Sequence, residues 1–176
     1  MHSRRKAYDG KQGRPVNMIF WSLFVVVGVL LDIGSKYAAE HLLLYGQSVP
    51  VLPFLNWTLV YNPGAAFSFL ADQEGWQRWF FIGITTLIAI ILFFWIRRTK
   101  PQEHLLRIGL ASVLVGAIGN LIDRVTLGHV IDFIHVYYGQ YHFPIFNVAD
   151  IFVTVGVGFI ILSSITEKRR KIQEDE

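Results

Sequence analysis

Residues 119–150 read GNLIDRVTLGHVIDFIHVYYGQYHFPIFNVAD, and they place polar groups at the edges of segments that are otherwise suited to lipid. Several of these groups recur at a spacing of three or four residues, which puts them on one face of a helix: Asn120, Asp123 and Arg124, and then Asn147 and Asp150. Ionisable side chains at membrane depth are costly, and by default they indicate function. We interpret Asp132 and Asp150 as a pair of functional carboxylates.

The composition is that of an integral membrane protein. Of 176 residues, 53% are hydrophobic and 16% are charged, and the mean hydropathy is +0.42, which is unlike a soluble domain. The chain has no cysteine, so disulfides, a thiol nucleophile and a cysteine-ligated metal site are excluded.

Four segments approach the length of about 20 residues that a helix needs to cross a bilayer. Their uncharged parts are residues 17–31, 79–96, 108–122 and 151–166. We predict helices at about 17–38, 78–97, 104–124 and 148–166. These helices form one membrane domain over residues 17–166, between a basic tail at 1–16 and a charged tail at 167–176.

The first segment also has the basic start of a cleaved signal peptide. Its apolar run is long for such a peptide, however, and Asp32, Lys36 and Glu40 interrupt the region where cleavage would occur. We therefore favour a retained helix.

The distribution of basic residues predicts the orientation of the helices. Thirteen of the 16 Lys and Arg lie before the first segment, around the second connection or after the last segment, and three lie elsewhere: Lys36, Arg78 and Arg124. Cytoplasmic loops are enriched in such residues. Both termini are therefore predicted to be cytoplasmic, and the polar groups of 119–150 near the outer face. Because topology accounts for the net charge of +3, we expect contact with membrane lipid and no nucleic-acid binding.

Residues 41–77 are predicted to form a small extracytoplasmic element between the first two helices. Prolines, glycines and alternating stretches such as 54–61 are typical of short strands. The predicted fold is thus an α-helical membrane protein with four transmembrane helices and a β-rich outer element.

Several features allow more than one interpretation. Asp32 and Lys36, at i and i+4, fit either an ion pair snorkelling at the interface or a substrate contact. The turn that begins at Asn62 needs no function, and Gly116 and Gly119 suit either helix packing or a ligand. The histidines form no recognisable ligand cluster, so we expect no metal site.

The carboxylates also leave alternatives. Two adjacent acids share a proton, so together they supply a base and an acid that activate water for attack on an amide. Alternatively, they are interfacial acids neutralised by Arg124 and Lys36, or the proton relay of a transporter. A non-enzymatic membrane scaffold is a further alternative.

Five motifs, in this order and among four predicted spans, resemble the bacterial lipoprotein signal peptidases (signal peptidase II). The resemblance extends from about residue 17 to residue 166 and rests on Asp32 with Lys36, Asn62-Pro63-Gly64-Ala65-Ala66-Phe67, Gly119-Asn120-Leu121-Ile122-Asp123-Arg124, Val130-Ile131-Asp132-Phe133, and Phe146-Asn147-Val148-Ala149-Asp150. One departure is Ile151, where family members often carry a small hydroxyl residue.

The resemblance implies an aspartic endopeptidase of the bacterial inner membrane with Asp132 and Asp150 as its catalytic dyad. It implies that four residues bind substrate or support the dyad, namely Asn62, Asn120, Arg124 and Asn147. It implies a structural role near the site for four more, namely Asp32, Lys36, Gly64 and Asp123. The implied substrate is a prolipoprotein, cut immediately before its diacylglyceryl-modified cysteine. No cofactor is implied, and we expect a monomer.

Overall fold

The computed structural model describes residues 17–64 and 76–175. These residues form four helices and four strands, in the order α1 Met18–Leu42, β1 Ser48–Leu52, β2 Leu55–Asn62, α2 Trp76–Arg98, α3 His104–Thr126, β3 Val130–Tyr138, β4 Tyr141–His142 and α4 Val148–Asp175. Each of the four helices is long and apolar enough to cross a membrane, which confirms the predicted fold class. The predicted tail at 1–16 and the second half of the Asn62 motif, residues 65–67, lie outside the described residues.

Helix α3 is the centre of the bundle. In its most apolar window 56% of the residues are buried, against 17% for α1 and 11% each for α2 and α4, and the three other helices all pack against it. The outer faces of α1, α2 and α4 therefore remain apolar and exposed, as a lipid environment requires.

Glycines set how closely α3 and α4 approach. A Cβ on either Gly109 or Gly156 would lie 2.7 Å from the other residue's carbonyl oxygen, and a Cβ on Gly116 would overlap the carbonyl oxygen of Ala149. Only a residue without a side chain fits such a contact. Gly116 therefore makes room for a neighbouring helix, and the start of α4 is held against α3.

Helix α1 contacts the bundle along one stripe. Its buried residues follow a spacing of seven, four, four and three positions: Trp21, Gly28, Asp32, Lys36 and Ala39. Asp32 is 0% and Lys36 2% exposed, so this pair does not snorkel at the interface. The i, i+4 spacing predicted the ion pair, but only the packing of α1 on α3 determines that it is buried.

The strands of the sheet come from two parts of the chain, of which only the first was predicted to form strands. They are antiparallel in the order β1-β2-β3-β4, and only β1 and β2 come from the segment between α1 and α2. The other two strands follow α3. Residues 130–138 are rich in β-branched and aromatic side chains, as strands are, but their partner β2 is about 70 positions away, so no local pattern showed the pairing.

Two helix ends also differ from the predicted ones. Helix α1 continues to Leu42 and α4 to Asp175, beyond the predicted ends at 38 and 166. The residues after 166 are mainly Glu, Lys, Arg and Gln, which favour helix as strongly as apolar residues do. Hydropathy therefore locates the membrane-spanning part of α4 but not its end.

The far end of the bundle is fixed by Arg107. This side chain is 3% exposed; its Nε donates to Thr99 Oγ1 at 2.9 Å, and its Nη2 donates to the carbonyl oxygens of Thr99 at 3.3 Å and Lys100 at 2.5 Å. A cation near the carboxyl end of α2 is stabilised by the carbonyl groups left free there. Arg107 is one of the basic residues around the second connection, and it lies in the first turn of α3, within the helix predicted at 104–124.

Candidate active site

Asp132 lies in the middle of three antiparallel segments. Val130, two residues before it on β3, pairs with Asn62 at the end of β2, so Asn62 is a diagonal neighbour on the same face. On the other side of β3, Ile134 forms a β-bridge with Phe146, which brings Asn147 alongside. The local pairing of β3 thus places one asparagine on each side of the Asp132 carboxylate.

Asp150 is held by the start of α4. The backbone N–H of Asp150 donates to Asn147 Oδ1 at 3.0 Å, and the backbone N–H of Asn147 donates to Asp150 Oδ2 at 3.2 Å. This reciprocal pair is a capping box, in which each side chain satisfies an N–H that the first helical turn leaves free. The i, i+3 spacing therefore reflects a helix cap with Asn147 just outside the helix, and not two residues on one helical face.

Three asparagines have side-chain amides whose orientation is determined by their neighbours. Each Oδ1 accepts from a group that only donates, namely the Gly64 backbone N–H to Asn62 (2.9 Å), the Asp150 backbone N–H to Asn147 (3.0 Å) and the Lys36 ammonium to Asn120 (3.0 Å). A flipped amide would set N–H against N–H. Each NH₂ group must therefore point the other way, toward the two aspartates.

All four carboxylate oxygens of Asp132 and Asp150 consequently receive an N–H donor. The donors are Asn147 Nδ2 to Asp132 Oδ1 (2.7 Å), Asn62 Nδ2 to Asp132 Oδ2 (3.0 Å), Asn120 Nδ2 to Asp150 Oδ1 (2.9 Å) and the Asn147 backbone N–H to Asp150 Oδ2 (3.2 Å). Donors to charged acceptors form the stronger class of hydrogen bond and fix the geometry of both carboxylates.

The two carboxylates have different surroundings. Asp132 is 2% exposed, whereas Asp150 is half-buried. Burial raises the pKa of Asp132 to about 6; the amide of Asn62 opposes this shift, the charge of Asp150 adds to it, and the amide of Asn147 opposes it. Asp132 is therefore the better site for a proton that the pair retains.

A buried cation lies behind the two acids. The Lys36 ammonium is 2.8 Å from Asp32 Oδ2 and 2.9 Å from Asp123 Oδ2, in addition to its bond to Asn120. A Cβ at Gly119 would overlap Asp32 Oδ2, so the glycine leaves room for this carboxylate. The predicted structural residues Asp32, Lys36 and Asp123 thus form one connected cluster with the site.

Arg124 lies at the edge of the site, against helix α2. Its guanidinium stacks over the Phe81 ring at 5.3 Å and interacts electrostatically with the nearby carboxylates. A Cβ at Gly64, which has φ +102°, would lie 2.5 Å from the same ring. Phe81 therefore lies against both the turn after β2 and the arginine.

Sequence reasoning missed Phe81 and Arg78. Arg78 Nε donates to the Arg124 carbonyl at 2.9 Å and its Nη2 to the Val125 carbonyl at 2.8 Å, so it caps the end of α3 beside the site. The available signal was that Arg78 is one of three basic residues placed on that side. Nothing in the sequence distinguished Phe81 from other apolar residues of α2.

Within 17–64 and 76–175, no three His, Asp or Glu side chains are arranged to hold a metal ion.

Comparison with known proteins identifies relatives over most of the chain. Residues 24–166 match the family model described as signal peptidase (SPase) II. A lipoprotein signal peptidase of Acinetobacter baumannii is 48% identical over 162 residues, which is 92% of each chain. A lipoprotein signal peptidase of Coxiella burnetii is 46% identical over 142 residues, 81% of this chain and 87% of that one.

Solved structures agree with this relationship. A bacterial membrane enzyme determined by the in meso method at 2.3 Å resolution has a TM-score of 0.78 at 35% identity, over 88% of this chain and 93% of that chain. A second, at 1.9 Å resolution, has a TM-score of 0.74 at 34% identity, over 92% and 97%. The match to the family model and the identity to the lipoprotein signal peptidases show that the chain belongs to the signal peptidase II family.

Proposed function

We propose that this protein is an aspartic endopeptidase that removes signal peptides from diacylglyceryl-modified prolipoproteins, cutting immediately before the modified cysteine. Membership of the signal peptidase II family supports the removal of prolipoprotein signal peptides. The observation that carries the aspartic mechanism is the set of fixed N–H donors, one on each oxygen of Asp132 and Asp150. Such an arrangement holds two carboxylates ready for proton transfer without covalent chemistry.

The proposed chemistry divides the roles between the two acids. Asp150, half-buried and open to water, is the ionised base that removes a proton from the attacking water. Asp132, whose pKa is raised to about 6 by burial, carries the proton of the dyad and donates it to the carbonyl oxygen. The tetrahedral intermediate then collapses. The carbon–nitrogen bond breaks as Asp150 passes its proton to the leaving amine, and Asp132 takes a proton back from a hydroxyl group of the intermediate, so both acids return to their starting states.

The proposed orientation puts this chemistry at the outer face of the inner membrane, with both termini cytoplasmic. The excess of basic residues before α1, around the connection between α2 and α3 and after the apolar part of α4 supports it. A signal peptide is itself an apolar helix that ends near the outer leaflet, so its cleavage point would meet the dyad at that depth. We further propose that the enzyme acts as a monomer and binds the substrate from the lipid phase.

The lipid on the substrate is proposed to matter for the rate. Burying methylene groups is worth about 0.8 kcal/mol each relative to water, but the bilayer already solvates them. The lipid therefore contributes mainly by fixing the scissile bond against the dyad, which acts on kcat as well as on KM.

A cleavage assay in proteoliposomes tests this proposal. A precursor peptide with a diacylglyceryl cysteine and the same peptide without lipid are compared at saturating concentrations, and products are identified by mass. We expect a product that begins with the modified cysteine, and much slower cleavage of the unmodified peptide. Equal rates would contradict the lipid requirement, and a cut at another bond would contradict the proposed specificity.

A further inference from the structure

The Lys36 ammonium is buried and contacts acidic and amide groups inside the protein. It forms ion pairs with Asp32 Oδ2 at 2.8 Å and Asp123 Oδ2 at 2.9 Å, and it donates a hydrogen bond to Asn120 Oδ1 at 3.0 Å. The side chain is 2% exposed and touches neither dyad carboxylate. A buried ion cluster is tolerated only when its charges are paired. Each of the three acceptor residues also contacts either Asp150 or the residue that precedes a dyad aspartate.

Two of those acceptors hold the backbone next to the dyad. Asp32 Oδ1 accepts the N–H of Ala149 at 2.8 Å, and Asp123 Oδ2 accepts the N–H of Ile131 at 3.1 Å. Ala149 immediately precedes Asp150, and Ile131 immediately precedes Asp132. The backbone on which each dyad aspartate stands is thus tied to one of the two acids that share Lys36.

The third acceptor sets the orientation of an amide. Because Lys36 only donates, it requires Asn120 to present its oxygen, and the NH₂ group of Asn120 is then directed to Asp150 Oδ1 at 2.9 Å. If Asn120 turned, its oxygen would face the Asp150 carboxylate and its NH₂ group would face the ammonium. Asn147 Nδ2 donates to the same oxygen at 3.1 Å, so Lys36 and Asn147 together select the one orientation in which Asn120 donates to Asp150.

We propose that Lys36, Asp32 and Asp123 are positioning residues that set the separation of the two dyad aspartates and the orientation of the Asn120 amide. This inference rests on the proposed dyad and adds a function to residues that do not contact substrate. The cluster links α1, α3, α4 and β3, so the two aspartates depend on one shared anchor.

The two acids of the cluster differ in a way that allows a matched test. Asp32 uses both oxygens as acceptors, Oδ1 for Ala149 and Oδ2 for Lys36, whereas Asp123 receives both of its donors on Oδ2. In Asp32→Asn the NH₂ group must face either the Ala149 N–H or the Lys36 ammonium, and neither of these can accept a hydrogen bond. In Asp123→Asn the remaining oxygen can still accept both. Each variant removes one negative charge beside Lys36, so the charge effect is common to both.

The experiment measures kcat and KM of both variants in proteoliposomes, together with the folded fraction by size-exclusion chromatography and thermal unfolding. We expect Asp32→Asn to lose about 100-fold in kcat with little change in KM, as misplacement near 1 Å does, and Asp123→Asn to lose less than about tenfold. Equal losses in two folded variants would show that only charge matters and would overturn the proposal.

A second pair of variants keeps the test decisive if Asp32→Asn does not fold. Gly119→Ala places a methyl group against the Asp32 carboxylate, 3.1 Å from its Cγ, whereas a Cβ at Gly34 on α1 meets no atom within 4 Å. Alanine also favours helix over glycine, which offsets part of the strain. We expect kcat to fall at least about tenfold in Gly119→Ala and to stay at the wild-type value in Gly34→Ala. Equal kcat in the two variants would overturn the proposal.

These outcomes are separable from those of the proposed function. If wild-type protein does not cleave the lipidated precursor, or if the dyad aspartates prove dispensable, the proposed function fails. If cleavage requires both aspartates but the paired variants do not differ, the positioning role alone fails.

Discussion

Replacing Asn147 by Ser or by Ala separates stability from catalysis at one residue. Asn147 is completely buried; its Oδ1 caps α4, and its Nδ2 donates to Asp132 at 2.7 Å. Serine keeps an oxygen that can cap the helix but loses the amide N–H, whereas alanine loses both. The two side chains leave cavities of similar size, so the cost of the cavity is common to both variants.

The contacts that each variant loses set the expected size of each effect. Losing the cap costs about 1 kcal/mol of stability, and this cost applies to Asn147→Ala alone. Losing a hydrogen bond to a charged acceptor costs about 1.5–3 kcal/mol. If that bond is needed while Asp132 changes its proton, this corresponds to a loss of about 10- to 150-fold in kcat, at 1.4 kcal/mol for each factor of ten.

The assay compares kcat on the lipidated precursor with thermal unfolding in detergent for both variants. We expect equal losses of kcat and a lower midpoint of unfolding for Asn147→Ala than for Asn147→Ser. Wild-type kcat in Asn147→Ser would refute the role of the amide in holding Asp132. A difference in kcat between two equally stable variants would refute the separation of cap and catalysis.

Three further predictions follow from other parts of the molecule. The pKa of Asp132 rises from 3.8 in the unfolded chain to about 6, so the stability that this group contributes is present below pH 3.8 and is lost as the pH rises through 6. Asp132→Asn does not titrate at this position, so relative to it the wild type should lose up to about 3 kcal/mol of stability between pH 4 and pH 7.5 in thermal unfolding. A difference between the two proteins that does not change with pH would contradict the shift. Gly156→Ala should destabilise the protein by about 1–3 kcal/mol through overpacking against a carbonyl oxygen of α3. Gly158→Ala should not, because no atom lies within 4 Å of a Cβ at Gly158. Equal unfolding midpoints of the two variants would refute this contact. Reporter fusions at residue 101 and after residue 70 should read cytoplasmic and external respectively, and reversed readings would overturn the orientation.

The sequence predicted the parts of the fold that depend on local composition. The four spans follow from length and hydropathy, because lipid requires continuous helices of that length. Asp132 and Asp150 were predicted to be functional because ionisable side chains near lipid are energetically costly. The i, i+4 spacing also predicted the ion pair of Asp32 and Lys36, since neighbours on a helix are fixed by its geometry.

The sequence did not predict what depends on contacts between distant elements. Strand β3 was not recognised because its partner β2 is far along the chain. The burial of Lys36 depends on the packing of α1 against α3, which hydropathy does not encode. Asn147 and Asp150 have the spacing of a shared helical face and also that of a capping box, and only the observed start of α4 distinguishes the two.

The most direct test of the central claim is the single-turnover rate of Asp132→Asn and Asp150→Asn on the diacylglyceryl-modified precursor. An amide neither accepts a proton from water nor shares one, and the loss of general acid–base catalysis is worth about 10²- to 10⁴-fold. We expect at least the lower of these losses in each variant, with the protein folded and the substrate still bound. Cleavage within about tenfold of wild type in either variant, below the range expected for general acid–base catalysis, would contradict the dyad.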